Sequence, residues 1–200
     1  MAKIGLSKPR AATYTASGDT VTYSNPIVLG KYTAFNMDVG SNNDNDLYAD
    51  NAIAETDPTF QDGTATLTTD DLAADIMAAV LGLTTEEIEA EGVTTEGASW
   101  MVWGDSQSVP YLGIGGVIKR KQNGSILWQG FVLPKVQFQN PAFALETQGE
   151  TISWQTQEIT ANIMRSDAAD HRWFMLSSEF TTEAEADAAV LAFLSPAESE

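Results

Sequence analysis

Apolar and polar residues alternate over short runs through most of this chain, and a period of two predicts strands rather than helices. Residues 33–39 place Phe35, Met37 and Val39 on one side and Ala34, Asn36 and Asp38 on the other, the pattern of a half-buried strand with one wet face. Residues 10–15 and 20–23 are β-type runs around Ala16-Ser17-Gly18-Asp19, a hairpin signal. Residues 41–46 are Asn/Asp-rich and predict a turn or loop. Residues 47–55 alternate weakly up to Asp57-Pro58, and 63–68 predict another strand. From Ser99 onward, residues 100–103, 112–121, 126–139, 150–165 and 172–180 are five further strand candidates, and Asn123-Gly124 is the strongest short hairpin signal in the chain. Along 133–139 the alternation sends Val136 and Phe138 inward and Lys135, Gln137 and Gln139 outward. Glu158 joins the outward set, with a change of parity between Trp154 and Ile159 that predicts a bulge.

Two segments carry helix signals. In 69–82, Thr69 is the predicted N-cap, Asp70 and Asp71 suit the positive end of the helix dipole, Leu72, Ile76 and Val80 form the stripe, and Gly82 is the stop. The following residues 86–96 are acidic and predict a loop, with one helical turn around 86–90. In 182–194, Thr182 and Glu185 form a capping box ahead of an Ala-rich helix ending at Leu194, and residues 195–200 are a frayed tail. No repeat or linker divides residues 1–200. The expectation is one mainly β domain of α+β character, with one or two flanking helices.

Charge changes the picture most. The chain of 200 residues has a formal charge of −18 and a sequence pI near 4.1. Residues 32–118 contain sixteen carboxylates and no Lys, Arg or His. Counterion-releasing contacts to phosphate need Lys or Arg, so this segment is no groove for nucleic acid or for an anionic membrane. Its acids are interleaved with Phe35, Met37, Leu47, Tyr48, Ile53 and Leu67, unlike a solvated acidic tail. With 43% hydrophobic residues, five Trp, eight Phe and five Tyr, the chain can fill one substantial core. It has no cysteine, hence no disulfide framework and no thiolate chemistry. The first residues lack the long apolar stretch of a signal peptide, and no run approaches a membrane span, so a soluble protein made in a cytoplasm is expected.

Candidate chemistry is sparse. His171 stands beside Arg172 and Trp173 with only Asp167 and Asp170 near it, the setting of an ordinary loop-edge histidine. No linear spacing selects a glycosidase carboxylate pair among twenty-eight acids. Asn43, Asp44, Asn45 and Asp46, with Asp50, offer oxygen donors to calcium but lack the glycine and bidentate glutamate of an EF-hand; a solvated loop is favoured. Gly113-Ile114-Gly115-Gly116 lies in a strand pattern with no helix after it, which fits close packing better than a dinucleotide loop. Lys119-Arg120-Lys121 is the one basic cluster, expected to meet acids on a neighbouring copy or to solubilise a turn. No enzyme activity, cofactor or metal is expected, and the weight falls on a structural or binding role.

Several collinear stretches point further: Ile4-Gly5-Leu6; Thr20-Val21-Thr22-Tyr23 with Leu29-Gly30-Lys31; residues 41–50 with Ala54-Glu55-Thr56-Asp57; Gly63-Thr64-Ala65-Thr66-Leu67 ahead of Asp71-Leu72; Pro110-Tyr111-Leu112-Gly113; Leu133-Pro134-Lys135-Val136; and Gly149-Glu150-Thr151-Ile152. In that order, from residue 4 to the C-terminal helix, the chain resembles the major tail tube protein of long, non-contractile-tailed bacteriophages. No single motif among them is catalytic.

The resemblance implies a tail-tube-type β-sandwich or barrel flanked by helix, in which the inner strands of six copies join into one hexameric ring barrel. Rings stack into the tail tube of the virion, assembled in the host cytoplasm and used for genome ejection. DNA and the tape measure protein pass through it; tail terminator and tail-tip proteins cap it; no membrane is engaged. The long loop 41–57 would serve contacts between subunits, through Asn43, Asp44, Asp46, Leu47, Tyr48, Asp50 and Ile53. Asn36, Asp38, Lys135, Gln137, Gln139 and Glu158 would face the lumen. Six copies at −18 carry about −108 per ring, which repels a polyanion at short range. A monomeric β-sandwich carbohydrate-binding module, stacking sugars on Trp100, Trp103 and Trp128, is the alternative of another class; an acidic glycosidase is a distant third.

Overall fold

The computed structural model describes residues 2–41, 47–55, 59–88, 98–143, 147 and 156–195. Within them lies one antiparallel eight-stranded sheet. It runs β2 (Thr20–Val28), β1 (Ala2–Ser17), β9 (Tyr111–Gln122), β10 (Ser125–Phe138), β11 (Gln157–Met164), β6 (Phe60–Thr69) and β3 (Tyr32–Ser41), with β12 (Met175–Phe180) also paired to β10. Two small hairpins stand apart, β4 (Leu47–Ala49) with β5 (Ala52–Glu55) and β7 (Thr84–Ile88) with β8 (Ala98–Val102). The helices are α1 (Ala74–Leu81) and α2 (Glu183–Leu194). The protein is mainly β.

Turn chemistry sets the registers. Asn123 and Gly124 both take positive φ, 47° and 86°, so Gln122 pairs with Ser125 across a two-residue turn whose twist matches the flanking strands. Gly18 and Asp19 similarly close Ser17 onto Thr20. β1 and β2 run well past the expected 10–15 and 20–23, because pairing on neighbouring strands extends a ladder beyond what local alternation marks.

β10 is the hinge of the sheet. Along one side it pairs with β9; along the other it pairs first with β12, from Trp128 to Val132, and then with β11, from Lys135 to Phe138. The switch falls at an irregularity between Leu133 and Val136, where Pro134 supplies no ladder donor. The sheet curls there around the main core, in which Leu67, Leu81, Ile114, Phe131, Leu133 and Val136 are almost fully buried. Each such side chain contributes about 1.5–3 kcal/mol of burial.

The other face of β1, β9, β10 and β12 is covered by α2 through Ala186, Val190 and Leu194, spaced four apart on one helix face. The floor beneath it is glycine. A Cβ on Gly115 would lie 2.9 Å from Val190 Cγ1, one on Gly130 2.7 Å from Val190 Cγ2, and one on Gly113 2.8 Å from Leu194 Cδ2. The glycine run therefore serves close packing, as its strand context indicated. The capping box forms as expected: Thr182 Oγ1 accepts from Glu185 N, and the Glu185 carboxylate accepts from Thr182 N at 3.1 Å. Arg10 Nε and Nη2 hold both oxygens of Asp187, at 3.0 and 2.7 Å.

The first helix departs from the sequence expectation. It spans Ala74–Leu81, its N-cap is Ala73, and no side chain caps it. Thr69 is the last residue of β6, paired with Gln157 and Tyr32, and is buried there; the ladder claims its backbone before it can cap a helix. Asp70 instead accepts from Lys31 N at 2.8 Å and Asp71 N at 3.0 Å, which closes the turn leaving β6. Leu72 is buried ahead of the helix, and Met77, Val80 and Leu81 face the core. Gly82 is the stop, left-handed at φ 62°, pressed against the Ser108 carbonyl.

Candidate functional site: a polar sheet face and two exposed hairpins

Strands β3, β6, β11 and the end of β10 form a four-stranded section in which paired residues share a face. Phe35–Leu67–Ile159, Met37–Ala65–Ala161–Phe138 and Val39–Gly63–Ile163–Val136 are rows on the core side. The alternate rows are polar apart from Ala34 and Gly40: Ala34–Thr68–Glu158, Asn36–Thr66–Thr160, Asp38–Thr64–Asn162–Gln137 and Gly40–Asp62. Gln139 follows at the end of this face, its backbone N–H donating to Thr160 O at 2.8 Å and its amide to Asn162 Oδ1 at 2.8 Å. Thr66 and Thr160 hydroxyls meet at 3.3 Å, and Gln137 Nε2 donates to Val109 O at 3.1 Å. Asn36, Asp38, Glu158, Asn162 and Gln139 are exposed. No helix among the described residues covers this section. Its surface is amide and hydroxyl with three carboxylates, Asp38, Asp62 and Glu158, a hydrated face without an exposed cation.

Five of the six residues expected on the lumen side thus stand together on one face: Asn36, Asp38, Gln137, Gln139 and Glu158. Lys135 is the correction. Its ladder position, opposite Met164, follows the alternation, yet the side chain is buried at 9% exposure. The curl of the sheet brings Tyr14 and Tyr111 over it, with the ammonium 5.2 and 4.7 Å from their ring centres, and the β11–β12 connection supplies Asp167 at 2.7 Å. The Lys135 ammonium and the Tyr14 hydroxyl, which donates at 2.8 Å, hold the Asp167 carboxyl below the usual carboxylate range. The bulge expected between Trp154 and Ile159 has no counterpart in Gln157–Ile163, whose pairing with β6 is unshifted; Trp154 lies outside the described residues.

Among the described residues β3 is an outer strand of the sheet, with no ladder partner beyond β6. It carries neither proline nor lysine along its ten residues, whereas the opposite outer strand β2 is interrupted by Pro26 and by Asn25 at φ 50°. β3 carries Asp38 and register irregularities at both ends, between Tyr32 and Ala34 and between Gly40 and Ser41, and its start lies across a groove from β1.

Of the loop candidates, Leu47, Tyr48, Asp50 and Ile53 lie on the β4–β5 hairpin, turned by Asp50 and Asn51 at φ 51° and 63°. Tyr48 and Ile53 are cross-strand partners, 66% and 52% exposed, and Leu47 is 58% exposed. Asn43, Asp44 and Asp46 fall outside the described residues, as does most of the calcium-type cluster. Among the described residues, no three His, Cys, Asp or Glu come together to hold a metal ion.

The acidic segment after α1 is the second correction. Thr84–Ile88 is a strand that pairs with Ala98–Val102, so 86–88 are neither loop nor helical turn, while the rest of the expected loop, 89–96, lies outside the described residues. Thr84 and Thr85 were the β-branched signal for it, outweighed in local reading by the glutamates that follow. Trp100 is 58% and Trp103 39% exposed, and Trp103 meets Phe143 edge-on with centroids 5.8 Å apart. Trp128 is half-buried beneath the Lys119 ammonium at 5.0 Å. His171 occupies a loop at φ 48° with its Nδ1 3.1 Å from the Ser166 backbone oxygen.

A groove of about 510 Å³ runs between the start of β1 and β3, lined by Ile4, Leu6, Phe35, Met37, Phe131 and Phe174. No helix among the described residues is long and apolar enough to cross a membrane. No family model matches the chain, and no curated protein does.

Proposed function

We propose that this chain is a non-enzymatic virion subunit that self-assembles as stacked hexameric rings into a phage tail tube, the conduit for genome ejection. The observation that carries this reading is the four-stranded section whose open face is polar and which ends in the outer strand β3. An outer strand β3 with apolar residues behind it, whose middle from Ala34 to Gly40 pairs with β6 without a register break, favours pairing with another copy. Six copies of four strands give a barrel of about 24 strands. At ~4.8 Å between strands and ~40° tilt its backbone diameter is roughly 48 Å, room for a duplex. A face of Thr, Asn and Gln with Asp38, Asp62 and Glu158, and with Lys135 withdrawn onto Asp167, offers phosphate no cation. The tape measure, terminator and tip proteins would be its partners within the tail.

Negative-stain micrographs of the concentrated protein test the reading: rings or tubes are expected, with light scattering growing with concentration. A strict monomer across concentration and salt overturns it.

The exposure of Trp100 and Trp103 favours the second reading, a carbohydrate-binding module. Against it, the three tryptophans make no common platform. Trp128 lies under Lys119 near the β9–β10 turn, Trp103 meets Phe143 edge-on, and Trp100 pairs with Glu86 on the β7–β8 hairpin. Quenching of tryptophan fluorescence by soluble polysaccharide would support the module instead.

A further inference from the structure

The sheet is open between the start of β1 and β3. Residues Ala2–Ser7 pair with β9 on one side and, among the described residues, have no ladder partner on the other, since β2 joins β1 only from Arg10 onward. β3 is paired to β6 alone. The groove of about 510 Å³ lies between these two strands. Its floor belongs to the core: Phe35 meets Phe131 with ring centroids 4.9 Å apart, and Leu6 is the ladder partner of Ile118. Phe131 is buried, but Leu6, Phe35, Met37 and Ile118 are only half-buried, and Ile4, which also lines the groove, is 49% exposed. Water thus lies against core side chains along a continuous apolar trough, the mark of an interaction surface.

The β4–β5 hairpin has the converse surface. Its strands pair with each other alone, and every residue of both is exposed. Tyr48 and Ile53 are partners across the hairpin, so the two side chains project together on one side of it. Asp50 and Glu55 are its charged residues, and no cation occurs anywhere in 32–118. Lys3, in the groove lining, is exposed and has no ion-pair partner among the described residues. One surface is a pair of apolar anchors with carboxylates nearby; the other is an apolar trough with an ammonium beside it.

The hairpin does not fill the groove of its own copy. It follows the Ser41 end of β3, where Ser41 pairs with Phe60, whereas the groove is lined by Thr33, Ala34, Phe35 and Met37, and no residue of 47–55 lines it. We propose that the β4–β5 hairpin of one copy of this chain seats Tyr48 and Ile53 in the β1–β3 groove of a second copy. This rests on the self-assembly reading and supplies the surface that receives the hairpin. A tyrosine with its ring on apolar side chains and its hydroxyl in water is the amphipathic anchor that such a trough accepts. Lys3 then stands beside the carboxylates of the incoming hairpin. Two anchors bind weakly in a single contact, and a ring of copies strengthens them through high effective concentration. Hairpin and groove are different surfaces of one copy, so the contact is head-to-tail and propagates from copy to copy.

The chain has no cysteine, so introduced thiols report the contact directly. A Tyr48→Cys protein and a size-tagged Ile4→Cys protein, mixed and mildly oxidised at assembling concentration, are expected to give the mixed disulfide as the main product. Ile4→Glu, folded by circular dichroism, is expected to raise the concentration needed for assembly about tenfold or more, as the loss of an anchoring contact does. A chain carrying both Tyr48→Cys and Ile4→Cys that closes the disulfide within itself, at concentrations too low for assembly, would give the groove to its own hairpin and overturn the proposal. Three further results overturn the docking alone: homodimers without the mixed disulfide, an Ile4→Glu protein that assembles like the parent, or Ile4→Cys shielded from a maleimide by decanoate but not by assembly. A parent that never assembles overturns the docking and the tube reading together.

Discussion

Asp38 on β3 and Gln137 on β10 stand in one row across four strands, joined through Thr64 and Asn162. Residues a hundred positions apart in the chain are thereby set on a common polar surface, while their immediate neighbours Met37, Val39, Val136 and Phe138 are turned to the core.

Replacing Asn36 and Asp38 by Lys changes that surface without touching the core. Unfolding free energy should stay within about 0.5 kcal/mol of the parent, as for exposed substitutions, and rings should still form. DNA release from particles carrying the variant should slow, because two cations per copy attract phosphate. Release at the parental rate would place the row away from the nucleic acid.

The β4–β5 hairpin contributes little to the fold, since Tyr48 and Ile53 touch water on their outer side. Tyr48→Ser with Ile53→Ser should leave thermal unfolding nearly unchanged and abolish or sharply weaken assembly measured by sedimentation. Unchanged assembly would remove this hairpin from the subunit contacts.

Helix α2 should be sensitive to any side chain placed beneath it. Gly115→Val sets a Cβ against Val190 and the Phe131 carbonyl, and overpacking of this kind costs about 1–3 kcal/mol. Urea unfolding should show the loss; a variant as stable as the parent would mean that the helix shifts at no cost.

The Lys135–Asp167 pair makes a specific contribution on the acid side. Because the folded Asp167 carboxyl titrates below its unfolded value of about 3.9, the contribution is fully present above that value and disappears as pH falls through the folded pKa. The Asp167 side chain is 44% exposed, so solvent screening limits the pair to about 1 kcal/mol. Asp167→Asn should lose that amount at pH 7 and show a flatter stability profile below pH 4 in urea titrations. An unchanged acid limb would show that Lys135 is held by the two tyrosine rings alone.

The strands with clean alternation were legible locally. Phe35, Met37 and Val39 face the core and Asn36 and Asp38 do not, because a strand with one buried face writes that requirement into every second residue. Asn123-Gly124 and the Thr182–Glu185 capping box were legible for a similar reason: a two-residue turn with positive φ and a helix N-terminus are satisfied by side chains within a few positions. Thr69 shows where this ends. As an isolated residue it suits a cap, and only the ladder with Gln157 and Tyr32 assigns it to β6.

The sequence by itself determined the mainly β class, the acidic surface, the tight turns and which side of β3 is wet, since each depends on neighbouring residues or on composition. Only the tertiary structure decided that Asp38, Glu158 and Gln137 share one face, that Lys135 is buried on Asp167 beneath Tyr14 and Tyr111, and that the segment after α1 is a paired arm. These depend on strand order and on the curl of the sheet at Pro134. Contacts between residues a hundred positions apart set both, and no local pattern encodes them.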